Sequence, residues 1–439
     1  MMPRFTRLTD WLVWLESLHP KAIDLGLSRV YQVAQRLSLL EPAGVDSHDY
    51  SGALAIADTR VITVAGTNGK GSCIATMERV LVSQGCQVGS YTSPHLHHYC
   101  ERIRLNGELV DEALVCDAFA AIDEARGDIS LTYFEFGTLA ALWVFVQRQV
   151  PYVLLEVGLG GRLDAVNIVD ADIAVITSIA VDHQEWLGSD RELIALEKLG
   201  VTRSKSPVVI AESDLTHSME QFISQHQADV SLIGRDFDIE VDSEGSRWQE
   251  GHRILSIPNP VLPVSSVAAA LRVLSLLDAL PSPAHLLSAL ALLSLAGRFQ
   301  QIVYRGCDLV FDVAHNPAAA TMLVDRLRQD QRGYATTVAV FAVMADKEVG
   351  DIILPFSDII DRWYLGPLDM ERAASVSDVG ALLSEYHQHS HSCHTLSEAL
   401  EQAVLDVECQ TAGGERGRIV VFGSFFTVAA VQQAIGLQA

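Results

Sequence analysis

Val61-Ile62-Thr63-Val64-Ala65-Gly66-Thr67-Asn68-Gly69-Lys70-Gly71-Ser72 runs an apolar, β-branched stretch straight into a glycine-rich turn. Beyond it, Ile74, Met77, Val80 and Leu81 recur at helical spacing, with Gly85 placed to stop the helix. A buried strand, a tight turn and a helix start, in that order, make an anion-binding loop. Glycines let the backbone fold closely enough for its N–H groups to converge on phosphate oxygens, and the helix N-terminus adds positive potential. Lys70 is placed for the β- and γ-phosphates and Ser72 for Mg²⁺. The spacing is not the usual one, because the first glycine stands close to the second and Gly71 separates the Lys from the hydroxyl. The bland alternative, a glycine loop that binds nothing, leaves the Gly-Lys pair between strand and helix without a reason.

Outward from this loop the pattern repeats. Val61–Ala65, Gln87–Tyr91, Tyr152–Val157, Ile173–Ile179 and Val208–Ala211 read as strands buried on both faces, alternating with helical segments. Residues 228–257 alternate polar and apolar, which reads as antiparallel excursions. Pro281–Gly297 carries two prolines and approaches a boundary. From Phe299 a second series begins, with strand candidates Leu309–Asp312, Thr337–Val343, Trp363–Leu365 and Ile419–Phe422. The class is therefore α/β: a phosphate-loop domain over 1–296 with a mostly parallel sheet, and a smaller C-terminal α/β domain over 297–439. No internal repeat is evident.

Composition narrows the function. The 439 residues are 49% hydrophobic and 20% charged, which fits folded domains rather than a disordered chain. Lys and Arg number 31 against 55 Asp and Glu, a formal charge of −24 that repels nucleic-acid backbones and anionic lipid. Seven cysteines without a Cys-x-x-Cys pair suit a reducing compartment and provide neither a disulfide framework nor a zinc site. The start has only a short apolar run, and Leu286–Ala296 is far shorter than the ~20 residues that span a bilayer. The expectation is a cytoplasmic protein that binds neither nucleic acid nor membrane, with nothing that demands more than a monomer.

Two further residues belong at the carboxyl edge of the first sheet, where open α/β folds bind ligands. Glu156 ends a strand just before glycines, and His183 follows the strand at Ile173–Ile179 with Asp182 beside it. Taken alone, either side chain serves equally well as a solvated or structural group.

The loop does not stand alone. GTNGKGS is followed by TSPHL at Thr92–Leu96, LEVGLGGRLDAVN at Leu155–Asn167, DHQEWLG at Asp182–Gly188 and LEKLG at Leu196–Gly200. Then come GRFQ at Gly297–Gln300, FDVAHNP at Phe311–Pro317 and FGSFFTV at Phe422–Val428. In this order, over nearly the whole chain, these segments resemble the folylpolyglutamate synthases, a branch of the Mur-ligase superfamily of ATP-dependent amide-forming enzymes. IDLGLSRV and ISLTYFEFGTLAALW are most similar to the bacterial bifunctional dihydrofolate synthase/folylpolyglutamate synthases.

The resemblance implies a site. Thr67, Asn68, Gly69, Lys70, Gly71 and Ser72 would hold the ATP phosphates, and Ser93, Glu156 and His183 a Mg²⁺ ion. Lys198, otherwise an ordinary helix lysine, would be carbamylated and support a second Mg²⁺. Thr132, Tyr133, Phe134 and Glu135, with Leu163, Asp164 and Ala165, would hold the pteroate; a flat heterocycle stacks on aromatics while its edge is hydrogen-bonded. Arg298 and Asp312 would touch the nucleotide, and His315 and Ser424 the incoming L-glutamate. Lys70, Lys198 and His315 would act in the chemistry. Two departures stand out. Val261–Ser266 lacks the Asn the family places there for the nucleotide, leaving Ser265 and Ser266 as polar candidates, and Phe426 replaces a common His or Tyr.

The reaction implied is transfer of the ATP γ-phosphoryl group to a carboxylate of dihydropteroate or a reduced folate, then attack by L-glutamate on the acyl phosphate. A folylpolyglutamate synthase without the first activity is the nearest alternative; a cell-wall Mur ligase and a nucleotide switch without ligase activity are others. The tract His387, His389, His391, Cys393 and His394 could bind metal, but it reads as an incidental surface loop.

Overall fold

The computed structural model describes the chain apart from residues 1–2, 42–49, 227–228, 243–244, 331, 411–415 and 438–439. It divides into two compact units, Met1–Leu293 and Ser294–Ala439.

In the first unit the β-branched runs become strands β1 (Arg60–Ala65), β2 (Val88–Tyr91), β3 (Ile103–Leu105), β4 (Glu108–Leu109), β5 (Tyr152–Glu156), β6 (Ile173–Ile176), β7 (Val208–Ile210) and β8 (Val230–Leu232). They form one sheet in the order β4-β3-β2-β5-β1-β6-β7-β8. β1 lies between β5 and β6, parallel to both, and β2 is parallel to β5. In register, Val64 pairs with Glu156 and Leu155 with Tyr91. The chain therefore leaves β1, β2, β5 and β6 along one edge of the sheet, the edge from which all the predicted loops of this unit spring. Val61–Ala65 is buried throughout, as a central parallel strand requires.

Helices cover the sheet. The N-terminal helix Leu8–Leu18 sinks Trp11 edge-on against Phe119, ring centroids 5.8 Å apart. A fully buried aromatic of this kind contributes about 1.5–3 kcal/mol. The three antiparallel strands β9 (Phe237–Val241), β10 (Ser246–Glu250) and β11 (Arg253–Ile257) are excursions of the kind read from 228–257, of which 228 and 243–244 lie outside the described residues. β8, in the same stretch, instead pairs parallel with β7 in the main sheet. Trp248 of β10 is fully buried, and its Nε1–H donates to the Ala268 carbonyl of the helix Val264–Leu276 (3.2 Å).

The second unit has strands β12 (Gln300–Tyr304), β13 (Cys307–Phe311), β14 (Thr336–Phe341), β15 (Arg362–Leu365), β16 (Ser390–Ser392) and β17 (Gly417–Phe422), in the order β12-β13-β17-β14-β15-β16. All pairs are parallel except β12 with β13. Phe341, Phe356, Trp363 and Phe422 fill its core. Phe311 of β13 pairs with Val421 of β17, so the turns carrying Asp312 and Ser424 leave the same edge.

Four strands escape the sequence reading. β3 and β4 are a short hairpin on Asn106-Gly107, a strong turn signal between segments too brief to show alternation. β12 is an edge strand whose residues are only partly covered. β16 corrects the expectation of a loop, because His391 sits within it and stacks on Tyr364, ring centroids 5.5 Å apart. Among the described residues no helix is long and apolar enough to cross a membrane.

Candidate active site

The phosphate loop is held from behind. Thr67 N–H donates to the Ser178 carbonyl (2.8 Å), and Asn68 N–H to Ser178 Oγ (2.9 Å). Thr67 Oγ1 donates to the Ala180 carbonyl and accepts from its N–H, both at 3.0 Å, while Thr177 Oγ1 donates to the Asn68 carbonyl (2.7 Å). The amides of Thr67 and Asn68 thus shape the loop, and it runs directly into the helix Lys70–Ser83, whose N-terminus carries no side-chain cap among the described residues. Gly69 is there in the left-handed region (φ 86°), and a β-carbon on it would lie 2.2 Å from Ser266 Oγ. Ser266, one of the two candidates for the missing Asn, therefore packs on the phosphate loop. Lys70 Nζ rests on the carbonyls of Gly66 (3.0 Å) and Thr67 (3.1 Å). The Ser72 hydroxyl is buried without a hydrogen-bond partner.

Glu156, at the end of β5, is buried, and its Oε2 accepts from the Ser93 N–H (3.2 Å). Its charge, after burial, helps push the neighbouring Cys73 thiol up. His183 stands exposed at the same edge in the left-handed region (φ 52°, ψ 44°), its N–H donating to Asp182 Oδ1 (2.8 Å). A non-glycine residue held there is strained, which happens where function or packing demands it. Lys198, in the helix Arg191–Leu199, is buried at 4% exposure. Burial first, and the nearby Lys70 charge second, push its ammonium down to about 7, against the pull of Asp182 and Asp164. Two glycines bring that helix in: a β-carbon on Gly161 would lie 2.6 Å from the Glu197 carbonyl, and one on Gly200 2.4 Å from Arg162 Cβ.

The segments expected to hold the pteroate have well-defined hydrogen bonds. Thr132 Oγ1 accepts from Glu135 N–H (3.2 Å) and Glu135 Oε2 from Thr132 N–H (2.8 Å), a capping box that starts the helix Tyr133–Arg148. Arg29 donates to the other Glu135 oxygen (3.1 Å). Tyr133 and Phe134 are half-buried, Phe134 lying against the bare backbone of Gly158. Asp164 is buried, with one oxygen accepting from Gly158 (3.0 Å) and Leu159 (2.9 Å) N–H and the other from Val166 N–H (3.0 Å). Burial still outweighs those amides and pushes its carboxyl up to about 6. Thr132, Glu135 and Asp164 are therefore engaged in hydrogen bonds that hold the local fold, while Tyr133 and Phe134 stay half-buried beside them. Gly26 N–H donates to the Leu163 carbonyl (3.3 Å), which brings the Asp24–Leu27 turn to the same place.

In the second unit Asp312 Oδ2 accepts from Phe299 N–H (2.8 Å) and Oδ1 from Ala314 N–H (2.9 Å), clamping a turn rather than capping a helix. Burial pushes its carboxyl up, opposed by Arg298 and Arg326. His315 Nδ1–H donates to the Val313 carbonyl (2.7 Å), which leaves Nε2 as the basic nitrogen. Arg298 lies 4.9 Å over the Phe425 ring, and His315 approaches the same ring at 6.3 Å. Ser424 is buried as the N-cap of the helix Phe425–Ala434, accepting from Thr427 N–H (3.0 Å).

This arrangement has relatives. Residues 297–425 match the Mur ligase, glutamate ligase domain. The dihydrofolate synthase/folylpolyglutamate synthase of Escherichia coli is 40% identical over 429 residues, covering 98% of this chain and 95% of its own length. The chain belongs to the dihydrofolate synthase/folylpolyglutamate synthase family. Escherichia coli FolC in complex with DHPP and ADP superposes with a TM-score of 0.88 at 38% identity, covering 99% of each chain. A bifunctional folylpolyglutamate synthase/dihydrofolate synthase with Mn, AMPPNP and L-glutamate bound does so with a TM-score of 0.85 at 41% identity, covering 98% of each.

In this chain the turns that carry Thr67–Ser72, Ser93, Glu156 and His183 leave one edge of the first unit's sheet, and those that carry Asp312 and Ser424 leave one edge of the second's. Sequence reasoning did not single out the Asp24–Leu27 turn, although it lay inside a quoted motif. Thr132 and Glu135, expected from the resemblance on the pteroate, also form the capping box of their helix, a Thr-x-x-Glu spacing that the sequence shows. Among the described residues no group of three or more His, Cys, Asp or Glu side chains is placed to hold an ion.

Proposed function

We propose that this chain is a cytoplasmic, monomeric ATP-dependent ligase that adds L-glutamate to dihydropteroate, forming dihydrofolate, and to reduced folates, forming γ-linked polyglutamates. One observation carries the reading. At a single sheet edge, a helix N-terminus with Lys70 meets a buried carboxylate, Glu156, while the loop leaving Glu156 turns at Gly158 onto the Phe134 ring. Phosphate-binding and heterocycle-binding surfaces thus adjoin on one chain segment.

The donor chemistry fits Mg²⁺. Ser72 offers a buried hydroxyl in need of a partner, and Glu156, Ser93 and Asp182 are hard oxygen donors in reach of the same loop edge. Ser93, Glu156 and His183 would hold one ion. A second would rest on Lys198 after its amine, which burial helps to keep neutral, adds CO₂ and loses a proton to become a carbamate. Bound there, Mg²⁺ supplies charge neutralisation on the transferring phosphoryl group.

The chain's own groups do the rest. The amides of the first turn at Lys70–Ser72 and the Lys70 ammonium hold the ATP phosphates, with Arg298 and Asp312 as nucleotide contacts of the second unit. Tyr133 and Phe134 stack the pterin, and the backbone beside Leu163, Asp164 and Ala165 meets its edge. An acceptor carboxylate oxygen attacks the γ-phosphorus and ADP departs. The glutamate amine then attacks the acyl carbon, inorganic phosphate leaves, and the proton lost from nitrogen passes to His315 Nε2. Ser424 fixes the turn that faces the glutamate.

The test is incubation with ATP, Mg²⁺ and L-glutamate, offering dihydropteroate or tetrahydrofolate and weighing the products. A gain of one glutamyl residue on both acceptors is expected. Gain on tetrahydrofolate alone would make the enzyme monofunctional, and gain on neither by folded, nucleotide-binding protein would overturn the assignment.

A further inference from the structure

Arg102 has no part in the scheme above, yet it occupies a telling place. Its carbonyl accepts the Thr92 N–H (2.9 Å), which puts its backbone beside the Thr92–Ser93 turn that meets Glu156. Its Nε–H donates to His95 Nδ1 (2.8 Å), so the imidazole fixes one edge of the guanidinium. The planar group lies 5.6 Å from the ring centroid of Tyr133 and 5.5 Å from that of Tyr99. Among the described residues no carboxylate stands within ion-pair distance of it, and its one side-chain hydrogen bond is that from Nε, so neither terminal nitrogen is engaged. Arg29 and Arg126, by contrast, are paired with carboxylates: Arg29 with Asp24 and Glu135, and Arg126 with Asp123. A half-buried cation with two donors unused, braced from one side and flanked by aromatic rings, is built to receive an anion.

The two acceptors differ by one such anion. Dihydropteroate carries a single carboxylate, the one that reacts. A reduced folate ends in glutamate, whose γ-carboxylate reacts and whose α-carboxylate must be accommodated beside it. We propose that Arg102 receives that α-carboxylate and is a specificity-determining residue that favours the folate acceptor over dihydropteroate. This rests on the function proposed above. It assigns the guanidinium fork to the bystander carboxylate, with Tyr133 as the link to the pterin surface and Ser93 as the link to the reacting end.

The experiment compares wild type with Arg102→Gln and Arg102→Lys on three acceptors: dihydropteroate, tetrahydrofolate, and tetrahydrofolate with its α-carboxylate converted to a carboxamide. In Arg102→Gln the KM for tetrahydrofolate should rise about tenfold to a hundredfold, the loss of a charge-assisted hydrogen bond. The ratio of kcat/KM between tetrahydrofolate and dihydropteroate should fall by the same factor, and Arg102→Lys should recover part of it. Wild-type enzyme, whose fold is not at issue, should lose a similar factor on the carboxamide, and Arg102→Gln should not distinguish carboxamide from carboxylate. Equal losses on tetrahydrofolate and dihydropteroate, or a wild type indifferent to the carboxamide, would overturn the role of Arg102 while leaving the ligase activity intact. A wild type that glutamylates neither natural acceptor sinks the function and this inference together.

Discussion

Phe134 lies directly on the backbone of Gly158: a β-carbon there would come within 2.5 Å of the ring's Cζ. That distance is too short for any rotamer adjustment of a methyl group, so the ring or the loop must give. Gly158→Ala should tilt the ring off the surface proposed for the pterin. The expected result is a rise of about tenfold in acceptor KM with the ATP KM little changed, read by steady-state kinetics. An equal rise in both would mean that Gly158 positions the phosphate edge as well.

Ser72 offers a cleaner separation of stability from function. Its hydroxyl is buried and unpartnered within the described fold. Deleting such a group costs folding almost nothing, since no intramolecular bond is lost. Ser72→Ala should therefore melt within a degree or two of wild type, yet bind Mg²⁺-nucleotide about tenfold more weakly in calorimetry. A large drop in melting temperature would show that the hydroxyl serves the fold.

For Lys198 the pH dependence has a definite sign. Its ammonium is pushed from 10.5 down to about 7, so between those values the unfolded chain holds a proton that the native one lacks. Native stability therefore rises with pH across that window, and the penalty of burying the amine is greatest below pH 7. In CO₂-free buffer, Lys198→Met should stabilise the protein most at pH 6 to 7, with the gain shrinking towards pH 10. A gain that does not vary with pH would mean that the amine is solvated. Activity should depend on bicarbonate in the wild type and be lost in Lys198→Met.

Thr132 is the test of what TYFE does. The hydroxyl caps the helix through Glu135 N–H, so Thr132→Val should cost about 1 kcal/mol in denaturant melts while Thr132→Ser restores it. If instead Thr132→Ser folds normally but loses acceptor affinity, the methyl group touches the substrate.

Much of this was legible beforehand, and the reason is local. The phosphate loop needs glycine where φ is positive, a lysine one residue on, and a strand to launch it, all within twelve residues, Val61–Ser72. Long buried strands such as β1 and β14 announce themselves by unbroken apolar runs. What stayed hidden depends on distance in sequence. Nothing near Glu135 points to Arg29. Asp164 was expected on the acceptor, but its two oxygens are occupied by amides that only the folded loop brings together. Short edge strands such as β12 and β16 failed for another reason: half-covered residues carry little hydrophobic signal.

The glycines at 158, 161 and 200 carry an implication for inhibitors. At each, a side chain would strike a neighbour within 2.6 Å, and at Gly161 that neighbour is main chain, which cannot step aside. An antifolate seated against Phe134 and this glycine wall would face a target with few escape routes. Resistance acquired under selection would have to arise at Tyr133, Phe134 or the Asp24–Leu27 turn, where a substitution alters the lining without breaking the wall behind it.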